Sequence, residues 1–416
     1  MSYIDDLIAE RCPDGVQFLP IRDIGTLFNG LTGKSKSDFV DGNARFVTYM
    51  NVFNNLKTSV LPESFVRVLD GERQNRVRLG DVLFTASSES ADEVGMASGV
   101  TVEPPETLYL NSFCFGFRPD PKIELNPDFA KHLFRSDGLR RKIIRTANGV
   151  TRINISKERF RDIEIPILPV AVQREIAAIL DKMERLEAEL EAELEARRRQ
   201  YAHYRDQLLT FPEAGGVRWV PMGDIGTFTR GRRFTKNDVV DTGIPSIHYG
   251  EIYTEYGTSA TAALSQVRND LRPSLRFAKP GDVVIAAVGE TVEDVAKAVA
   301  WLGTDDVAIH DDCFAYRSDL NPKYVAYWFQ TTKFNDEKAR FVARAKVKRI
   351  SGENMGKIDI PVPSISEQES IVATLDNFDA LANSLAFGLP AEIAARRKQY
   401  EHYRDRLLTF PEKAVA

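Results

Sequence analysis

Two stretches of the chain place apolar residues at steps of three and four, the spacing that lines up side chains along one face of an α-helix. In the first stretch the apolar positions are Ile176, Leu180, Met183, Leu186, Leu190 and Leu194. In the second stretch they are Ile371, Leu375, Phe378, Leu381 and Leu385. These patterns predict two long amphipathic helices, and we expect their apolar faces to pack antiparallel against each other.

The two helices are not identical. The first contains the tetrapeptide EAEL twice, at 187–190 and 191–194, and these strong helix formers predict a rigid spacer. The second contains four additional residues, which include Gly388 and Pro390. Because proline inside a helix removes a hydrogen bond, we expect a kink or break near residues 387–390. A bulged turn is the favoured form, since four residues make about one helical turn.

The pattern before each helix is also repeated. The segment VQFLPIRDIGTLFNG from Val16 aligns with VRWVPMGDIGTFTRG from Val217, and residues 197–213 (RRRQYAHYRDQLLTFPE) align with residues 396–412 (RRKQYEHYRDRLLTFPE). Such repetition predicts a tandem of two similar halves. We therefore expect an α+β fold, in which two pseudo-symmetric globular domains are separated by two long α-helices packed as an antiparallel coiled coil.

The pattern Tyr-x-Asp-x-Leu occurs three times in this chain of two repeats, beginning at Tyr3, Tyr204 and Tyr403. The first residues of the chain thus match the segment in the middle of the chain where the first repeat joins the second. This predicts that the first and last segments of the chain lie close together.

Composition limits the class of protein. With 43% hydrophobic and 28% charged residues, 416 residues suit two or three globular domains with hydrophobic cores. The sequence has no apolar run of 18 or more residues and no signal-peptide pattern, which favours a cytoplasmic protein without a membrane span. Three cysteines without a CxxC pair argue against a disulfide framework or a zinc site.

Motifs of catalysis are not found in the sequence. The string GLTGKS at residues 30–35 has two residues between its glycines, whereas a phosphate-binding loop needs four. There is no HExxH, no glycine-rich cofactor loop and no Asp/Asn-Pro-Pro-aromatic tetrapeptide of a methyltransferase. We expect a chain with no catalytic residues, no metal site and no cofactor of its own. For His203 and His402 in the repeated helix ends, packing or contact with a partner is favoured over catalysis.

The net charge of -5 conceals two basic segments, residues 140–161 and residues 338–349, which fall at equivalent places in the two halves. One basic segment is usually a solvated face, but its duplication favours a surface in each half that follows DNA phosphates. From these segments we select as candidate DNA contacts Arg145, Arg152, Arg344, Lys346 and Lys348.

A second group of candidates follows the aligned glycines of each half. Its basic members are Lys34, Lys36, Arg230, Arg232, Arg233 and Lys236. Its other members are Tyr49, Asn51, His248 and Tyr249, which we expect in a strand-loop context where amide, imidazole and aromatic groups can contact base edges. The alternative for each of these residues is ordinary strand and turn composition.

The strings GVTRINISKERFRDIEIPILPVAVQREIAAILD from Gly149, CPDGVQFLPIRDIG from Cys12, VPMGDIG from Val220 and the repeated YxHYRDxLLTF resemble the specificity subunits of Type I restriction-modification systems. In such a pattern Ile-Pro-x-Pro-x-x-x-Gln opens each long helix. IPVPSISEQ fits this pattern better, because one residue separates its prolines, although four residues rather than three precede Gln368. IPILPVAVQ departs slightly from it, with two residues between its prolines.

The resemblance implies two target recognition domains, residues 1–165 and 213–362, and two spacer helices, residues 166–212 and 363–416. Each recognition domain would read one half of an interrupted sequence in double-stranded DNA. The partners implied are two methyltransferase subunits, which bring S-adenosylmethionine, and a restriction subunit with translocase activity. On the helix ends the candidate partner contacts are Tyr201, His203, Tyr204, Tyr400, His402 and Tyr403.

Alternatives to this function stay open at the level of the sequence. A chain that modified DNA itself would bind S-adenosylmethionine alone, although no loop for that cofactor is present. A coiled-coil scaffold without DNA recognition would leave the duplicated basic segments unexplained. A specificity subunit of a related restriction system outside Type I is a further possibility.

Overall fold

The computed structural model describes residues 8, 10–13, 15–212, 216–343, 347–383 and 389–410. The chain divides into two compact units. Unit 1 comprises Met1–Leu190 and Ile393–Ala416, and unit 2 comprises Glu191–Glu392. The limits predicted for the four domains stay predictions. The two units are groups of residues in mutual contact, and their boundaries fall inside the helices Val170–Leu209 and Leu389–Leu407 rather than at the predicted limits.

Unit 1 is built from twelve strands and five short α-helices among its described residues, followed by the start of a long helix. The strands are β1 Gln17–Pro20, β2 Gly25–Asn29, β3 Ala44–Val47, β4 Phe65–Val66, β5 Val82–Thr85, β6 Ser87–Ser88, β7 Ala97–Gly99, β8 Leu108–Leu110, β9 Cys114–Pro119, β10 Ala147–Asn148, β11 Ile153–Ile155 and β12 Glu164–Ile167. The helices are α1 Ile21–Ile24, α2 Tyr49–Asn54, α3 Pro127–Leu133, α4 Asp137–Arg145, α5 Lys157–Arg161 and the long α6 Val170–Leu209, with a 3-10 helix at Lys36–Phe39.

Unit 2 repeats this order. Its strands are β13 Arg218–Pro221, β14 Gly226–Arg230, β15 Val239–Val240, β16 Ile244–Ile247, β17 Ser259–Ala260, β18 Ser265–Val267, β19 Phe277–Ala278, β20 Val283–Ala286, β21 Val288–Gly289, β22 Ala298–Trp301, β23 Val307–Ile309, β24 Cys313–Ser318, β25 Lys348–Arg349 and β26 Asp359–Val362. Its helices are α7 Met222–Ile225, α8 Tyr249–Thr254, α9 Pro322–Trp328, α10 Thr332–Lys338, α11 Gly352–Gly356 and α12 Ile365–Asn383, with 3-10 helices at Lys236–Asp238 and Asn269–Ser274. The last helix, α13, spans Leu389–Leu407.

The repeat holds at the level of strand register. In unit 1 the sheet order is β2-β9-β5-β7, and in unit 2 it is β14-β24-β20-β22-β17. Gly25 pairs with Pro119 at one end of the β2–β9 ladder, and Gly226 pairs with Ser318 at the same point of β14–β24. The predicted α+β fold with two similar globular parts and long helices is confirmed.

The long helices bind their globular parts through polar contacts that differ in chemistry between the units. In unit 1 the Nε2 atom of His132 lies 2.6 Å from the Oδ1 atom of Asp181 on α6, and the hydroxyl of Tyr400 on α13 lies 3.1 Å from its Nδ1 atom. In unit 2 the hydroxyl of Tyr327 donates to the carboxylate of Asp376 on α12 over 2.7 Å. Arg397 on α13 pairs with Glu187 on α6 over 2.7 Å. Since His132 joins Asp181 to Tyr400, rising numbers on α6 correspond to falling numbers on α13, and the two helices run antiparallel within unit 1.

The end of each repeated helix segment completes a hydrophobic core. Leu407, Leu408 and Phe410 pack into the core of unit 1, where Ile8 also makes contact. Tyr201 and Leu209, from the end of α6, pack into the core of unit 2. Tyr3, on which the expectation of neighbouring chain ends rests, lies outside the described residues, as do residues 384–388 in the segment where we expect a kink. No described helix is long and apolar enough to cross a membrane.

A buried glutamine in the first turn of each long helix forms hydrogen bonds with backbone groups of neighbouring segments, and we call this arrangement the clamp. Gln368 is 1% exposed; its Oε1 accepts from the backbone N–H of Asn321 over 2.8 Å and its Nε2 donates to the carbonyl of Pro363 over 2.9 Å. Gln173 makes the equivalent contacts in unit 1, with Asn126, Leu168 and Glu124. The clamp ties the first turn of the helix to the loop before α9 or α3.

Replacing Gln368 by leucine should lower the free energy of unfolding of unit 2 by about 1–3 kcal/mol, because it leaves a buried N–H and a buried carbonyl unpaired. All three tryptophans, Trp219, Trp301 and Trp328, lie in unit 2, so tryptophan fluorescence during urea unfolding reports on that unit. Gln173→Leu is the matched control, since the hydrogen bonds that it removes lie in unit 1 and should shift the tryptophan transition less. An unchanged midpoint for Gln368→Leu would show that the clamp is not needed.

Candidate nucleic-acid interface

Two arginines of the basic segment of unit 1 form hydrogen bonds with backbone carbonyls of the same unit. The guanidinium of Arg140 donates to the carbonyls of Gly95, Asp92 and Val94 at 2.6–2.8 Å. Arg159 donates to the carbonyls of Thr146 and Ala147 in the same manner. These hydrogen bonds give both arginines a structural role, although Arg159 is still exposed. The basic surface expected over residues 140–161 stays a prediction.

Arg145 and Arg152, the two candidates selected from this segment, are exposed. Arg145 ends helix α4. The guanidinium of Arg152 donates to Oγ of Ser87 over 3.1 Å and lies 5.2 Å from the ring centre of Phe113. Phe113 is 53% exposed and Val150 is 96% exposed. Arg152 is thus held in place beside an exposed aromatic ring.

The basic segment of unit 2 behaves similarly at its start. Lys338 is 2% exposed and donates to the carbonyls of Glu293 and Val295 over 2.8 and 2.5 Å. Arg344 and Lys346 lie outside the described residues, so their assignment as DNA contacts stays a prediction. Lys348 lies half-buried in β25.

The stability of unit 2 should depend on pH through Lys338. Burial lowers the pKa of its ammonium group to about 8, against 10.5 for an ordinary lysine. Between about pH 8 and pH 10 the unfolded state therefore binds more protons, and the free energy of unfolding should rise with pH by at most about 1.4 kcal/mol per unit. Below about pH 8 the lysine is protonated in both states and contributes no slope.

Urea unfolding followed by tryptophan fluorescence across this pH range measures the slope. Lys338→Met removes the titrating group and should flatten the profile, while lowering stability because two carbonyls lose their donor. A slope that persisted unchanged in Lys338→Met would assign the pH dependence to other groups.

The basic residues that follow the aligned glycines differ between the units. Lys34 is 7% exposed in its side chain and pairs with Glu72 over 2.6 Å. Hydrogen bonds from Lys34 and Gln74 lower the pKa of Glu72 to about 2, so the charge of Lys34 is balanced within the fold. The other members are all exposed: Lys36, Arg230, Arg232, Arg233 and Lys236.

Three of the aromatic and polar candidates, Tyr49, Asn51 and Tyr249, lie on short helices, and His248 caps one, so the expected strand-loop context is wrong. Tyr49 begins α2 because the side chain of Thr48 caps that helix by accepting from the N–H of Asn51. The hydroxyl of Tyr49 donates to the carbonyl of Ser87 over 2.8 Å, and the Oδ1 atom of Asn51 accepts from the N–H of Ser59 over 3.3 Å. Both side chains are half-buried.

In unit 2 His248 caps α8 and accepts from the N–H of Gly250. Burial, and secondarily the neighbouring His310, lower the pKa of His248, which favours a neutral ring at neutral pH. Tyr249 aligns with Tyr49 in the sequence, but Tyr253 makes the corresponding hydrogen bond, to the carbonyl of Val288. Tyr49 and Tyr249 both begin their helices, so the equivalent hydrogen bond in unit 2 comes from a tyrosine one helical turn later.

A cleft of about 310 Å³ in unit 2 brings together residues that sequence reasoning mostly missed. Its charged lining residues are Arg230, Asp311, Asp312 and Arg349, and its aromatic lining residues are Phe314 and Phe341. We name it the unit 2 cleft. Only Arg230 among these was a candidate. Arg349 could have been found by comparing the two halves, because it lies in a repeated strand whose counterpart in unit 1 has Asn154 at that position.

Two groups of described residues have the composition of a metal site. The first is His132, Asp181 and Glu184, but the ammonium of Lys131 lies 2.7 Å from Asp181 and occupies the place of a cation. The second is His310, Asp311 and Asp312, in which the Nδ1 atom of His310 accepts from the N–H of Asp312 over 3.2 Å. Each group has internal hydrogen bonds that account for its arrangement.

The six candidate partner contacts divide into two kinds. Tyr201 is 7% exposed in the core of unit 2, and Tyr400 is half-buried against His132 in unit 1. The side chains of His203, Tyr204, His402 and Tyr403 are exposed on the same two helices. In the described fold, the exposed four are the ones available to another protein.

The comparisons with known proteins agree on one family. The family model for the Type I restriction modification DNA specificity domain matches residues 13–196 and 216–395. The chain is 34% identical over 256 residues to the Type I restriction enzyme EcoR124I/EcoR124II specificity subunit of Escherichia coli; the match covers 59% of this chain and spans 61% of that subunit.

A similar fold is found among solved structures. A chain from a structure of a type I restriction-modification system, determined to explain its assembly and conformational transition, is similar with a TM-score of 0.67 and 16% identity. That match covers 95% of this chain and 97% of the other. At this identity the likeness establishes the fold.

Proposed function

Because this chain belongs to the family of Type I restriction-modification DNA specificity proteins, we propose that it recognises an interrupted sequence in double-stranded DNA, with one half-site bound by each unit. The observation that supports this most directly is the equal strand register of two units whose exposed side chains differ. A shared framework with different contact residues is what two independent half-sites require.

The proposal includes partners that act on the bound DNA. Two methyltransferase subunits would bind along the long helices, where His203, Tyr204, His402 and Tyr403 are exposed. A restriction subunit with translocase activity would join that assembly. The chain itself would be non-catalytic and without a cofactor, since the methyl donor would be bound by the methyltransferase subunits. A protein with this task works where the chromosome is, in the cytoplasm.

Gel-shift measurements separate this function from its alternatives. The purified chain is mixed with a pool of random-sequence duplexes, alone and together with the methyltransferase subunit of its own system, and the bound DNA is sequenced. We expect enrichment of a bipartite motif with a fixed spacer. Binding without any motif, or no binding with the partner present, would favour a scaffold function. Methyl transfer by the chain alone would favour an enzyme.

A further inference from the structure

The two units present different side chains at one equivalent place on their surfaces. Asn29 is the last residue of β2 and pairs with Phe115, as Arg230 is the last residue of β14 and pairs with Phe314. Asn154 pairs with Ser87, and Arg349 pairs with Val288 at the same point of the corresponding ladder.

A third pair of positions is fixed by the backbone. The carbonyl of Phe113 accepts from the N–H of Ala86, and the carbonyl of Asp312 accepts from the N–H of Ala287 in the same way. Three equivalent positions therefore present two amides and an aromatic ring in unit 1, and two guanidinium groups and a carboxylate in unit 2. All three side chains of unit 1 are exposed.

The carboxylates of unit 2 indicate what kind of contact this place makes. Asp311 and Asp312 are 31% and 20% exposed and line the unit 2 cleft with Arg230 and Arg349. One Nη atom of Arg349 lies 3.6 Å from the carboxylate of Asp312, and Nε of Arg230 donates to the carbonyl of Asp311 over 2.8 Å. These contacts orient both guanidinium groups and leave further N–H groups of each fork for a base. A carboxylate repels DNA phosphates, so a surface that only followed the backbone would avoid it. A carboxylate at a base edge can accept from the amino group of cytosine, and a guanidinium can donate to O6 and N7 of guanine. The mixture of charges therefore favours contact with bases.

The groups of unit 1 match the other base pair. The side-chain amide of asparagine pairs with N6 and N7 of adenine, and an exposed aromatic ring contacts the methyl group of thymine. The Oδ1 atom of Asn29 also accepts from Lys157, and the Nδ2 atom of Asn154 donates to the carbonyl of Arg152 over 3.1 Å. Each amide is thus oriented by the fold and still has hydrogen-bonding capacity for a base.

Resting on the proposed function, we propose that unit 1 reads A·T pairs through Asn29, Phe113 and Asn154, and that unit 2 reads G·C pairs through Arg230, Asp312 and Arg349. The two half-sites then differ in base composition at the positions that these residues contact. Arg152 and Lys157, which flank the amides in unit 1, bind phosphates beside them.

The test measures binding of the chain with its methyltransferase subunit to duplexes that contain the selected bipartite motif, and to duplexes with single base-pair substitutions. Arg349→Asn should reduce the preference for G·C at one position of one half-site by about tenfold or more. The other half-site should keep its preferences. Asn154→Arg should act in the same way on A·T in the other half-site.

Arg349→Lys is the decisive companion variant. It retains the positive charge and removes the planar fork, so affinity for unrelated DNA should stay unchanged while the preference for G·C falls. Equal weakening on all sequences by Arg349→Asn, with full rescue by Arg349→Lys, would show a phosphate contact and overturn the proposal. A half-site without G·C that depends on Arg349 would also overturn it.

The same measurements with EDTA separate base contact from metal binding at His310, Asp311 and Asp312. Loss of specificity in EDTA would assign Asp312 to a cation and overturn its part of the proposal. Far-ultraviolet circular dichroism verifies that each variant is folded. If the unmodified chain selects no bipartite motif, the proposed function itself fails; a motif with two half-sites of the wrong composition contradicts only the assignment of bases.

Discussion

A third EAEL copy inserted after Leu194 should lengthen the unspecified spacer between the two half-sites by one to two base pairs and abolish methylation of the original target. Helix α6 is continuous over 40 residues, and the chain passes from unit 1 to unit 2 between Leu190 and Glu191, at the junction of the two copies. Four residues add about 6 Å of helix, against about 3.4 Å per base pair of DNA. They turn the helix by about 400°, so the apolar face is retained.

The spacer is measured by sequencing methylated bases in cells that express each variant with its methyltransferase subunit. Deletion of one copy should shorten the spacer by a similar amount, and neither change should alter the half-sites. The matched control inserts GSGS at the same position, which adds chain length without a rigid turn and should not give a defined longer spacer. An active EAEL insertion variant with the original spacer would show that α6 does not set the distance.

Replacing Arg145 and Arg152 by glutamine should weaken DNA binding through unit 1 and make it less sensitive to salt. Removing one arginine from a phosphate lowers the slope of log affinity against log salt by about 0.9, so the slope of the double variant should fall by about 1.8. Both side chains are exposed, and Arg152 is held by Ser87 in a fixed position. Binding titrations at several salt concentrations, on the same duplex, measure the slope.

Arg161→Gln provides the matched control for this double variant. Arg161 belongs to the same basic segment, but its guanidinium lies 3.7 Å from the carboxylate of Glu158. Its replacement should leave the salt slope nearly unchanged. Equal slopes for the double variant and the unmodified chain would mean that Arg145 and Arg152 are solvated surface and that unit 1 holds DNA elsewhere.

The repeated architecture could be predicted because it depends on patterns that extend over many residues. Six apolar positions at helical spacing were sufficient to predict α6. Long aligned strings of sequence were sufficient to predict two similar halves. Short elements gave no such pattern. Tyr49 begins a helix of six residues, which is too short for periodicity to show, and its cap depends on the single hydroxyl of Thr48.

The sequence could not show which arginine and lysine side chains are available to bind DNA, because their partners in the fold are distant in the chain. Arg140 looks like its neighbours in the sequence, yet it is held by carbonyls about 45 residues earlier in the chain. Lys34 is neutralised by Glu72, 38 residues away. Such partners are brought together by the tertiary fold, so a basic segment shows where cations are concentrated and not which of them can reach DNA.

The residues that complete each hydrophobic core determine the order in which the two cores can form during synthesis. Unit 2 is one uninterrupted stretch of chain, whereas the core of unit 1 needs Leu407, Leu408 and Phe410. During translation at about 5–20 residues per second, the ribosome adds the last of these residues roughly 10–40 s after the first part of unit 1 has been made. The segment that is synthesised first is thus the last to close its core, and until then its unfinished surface is open to chaperones.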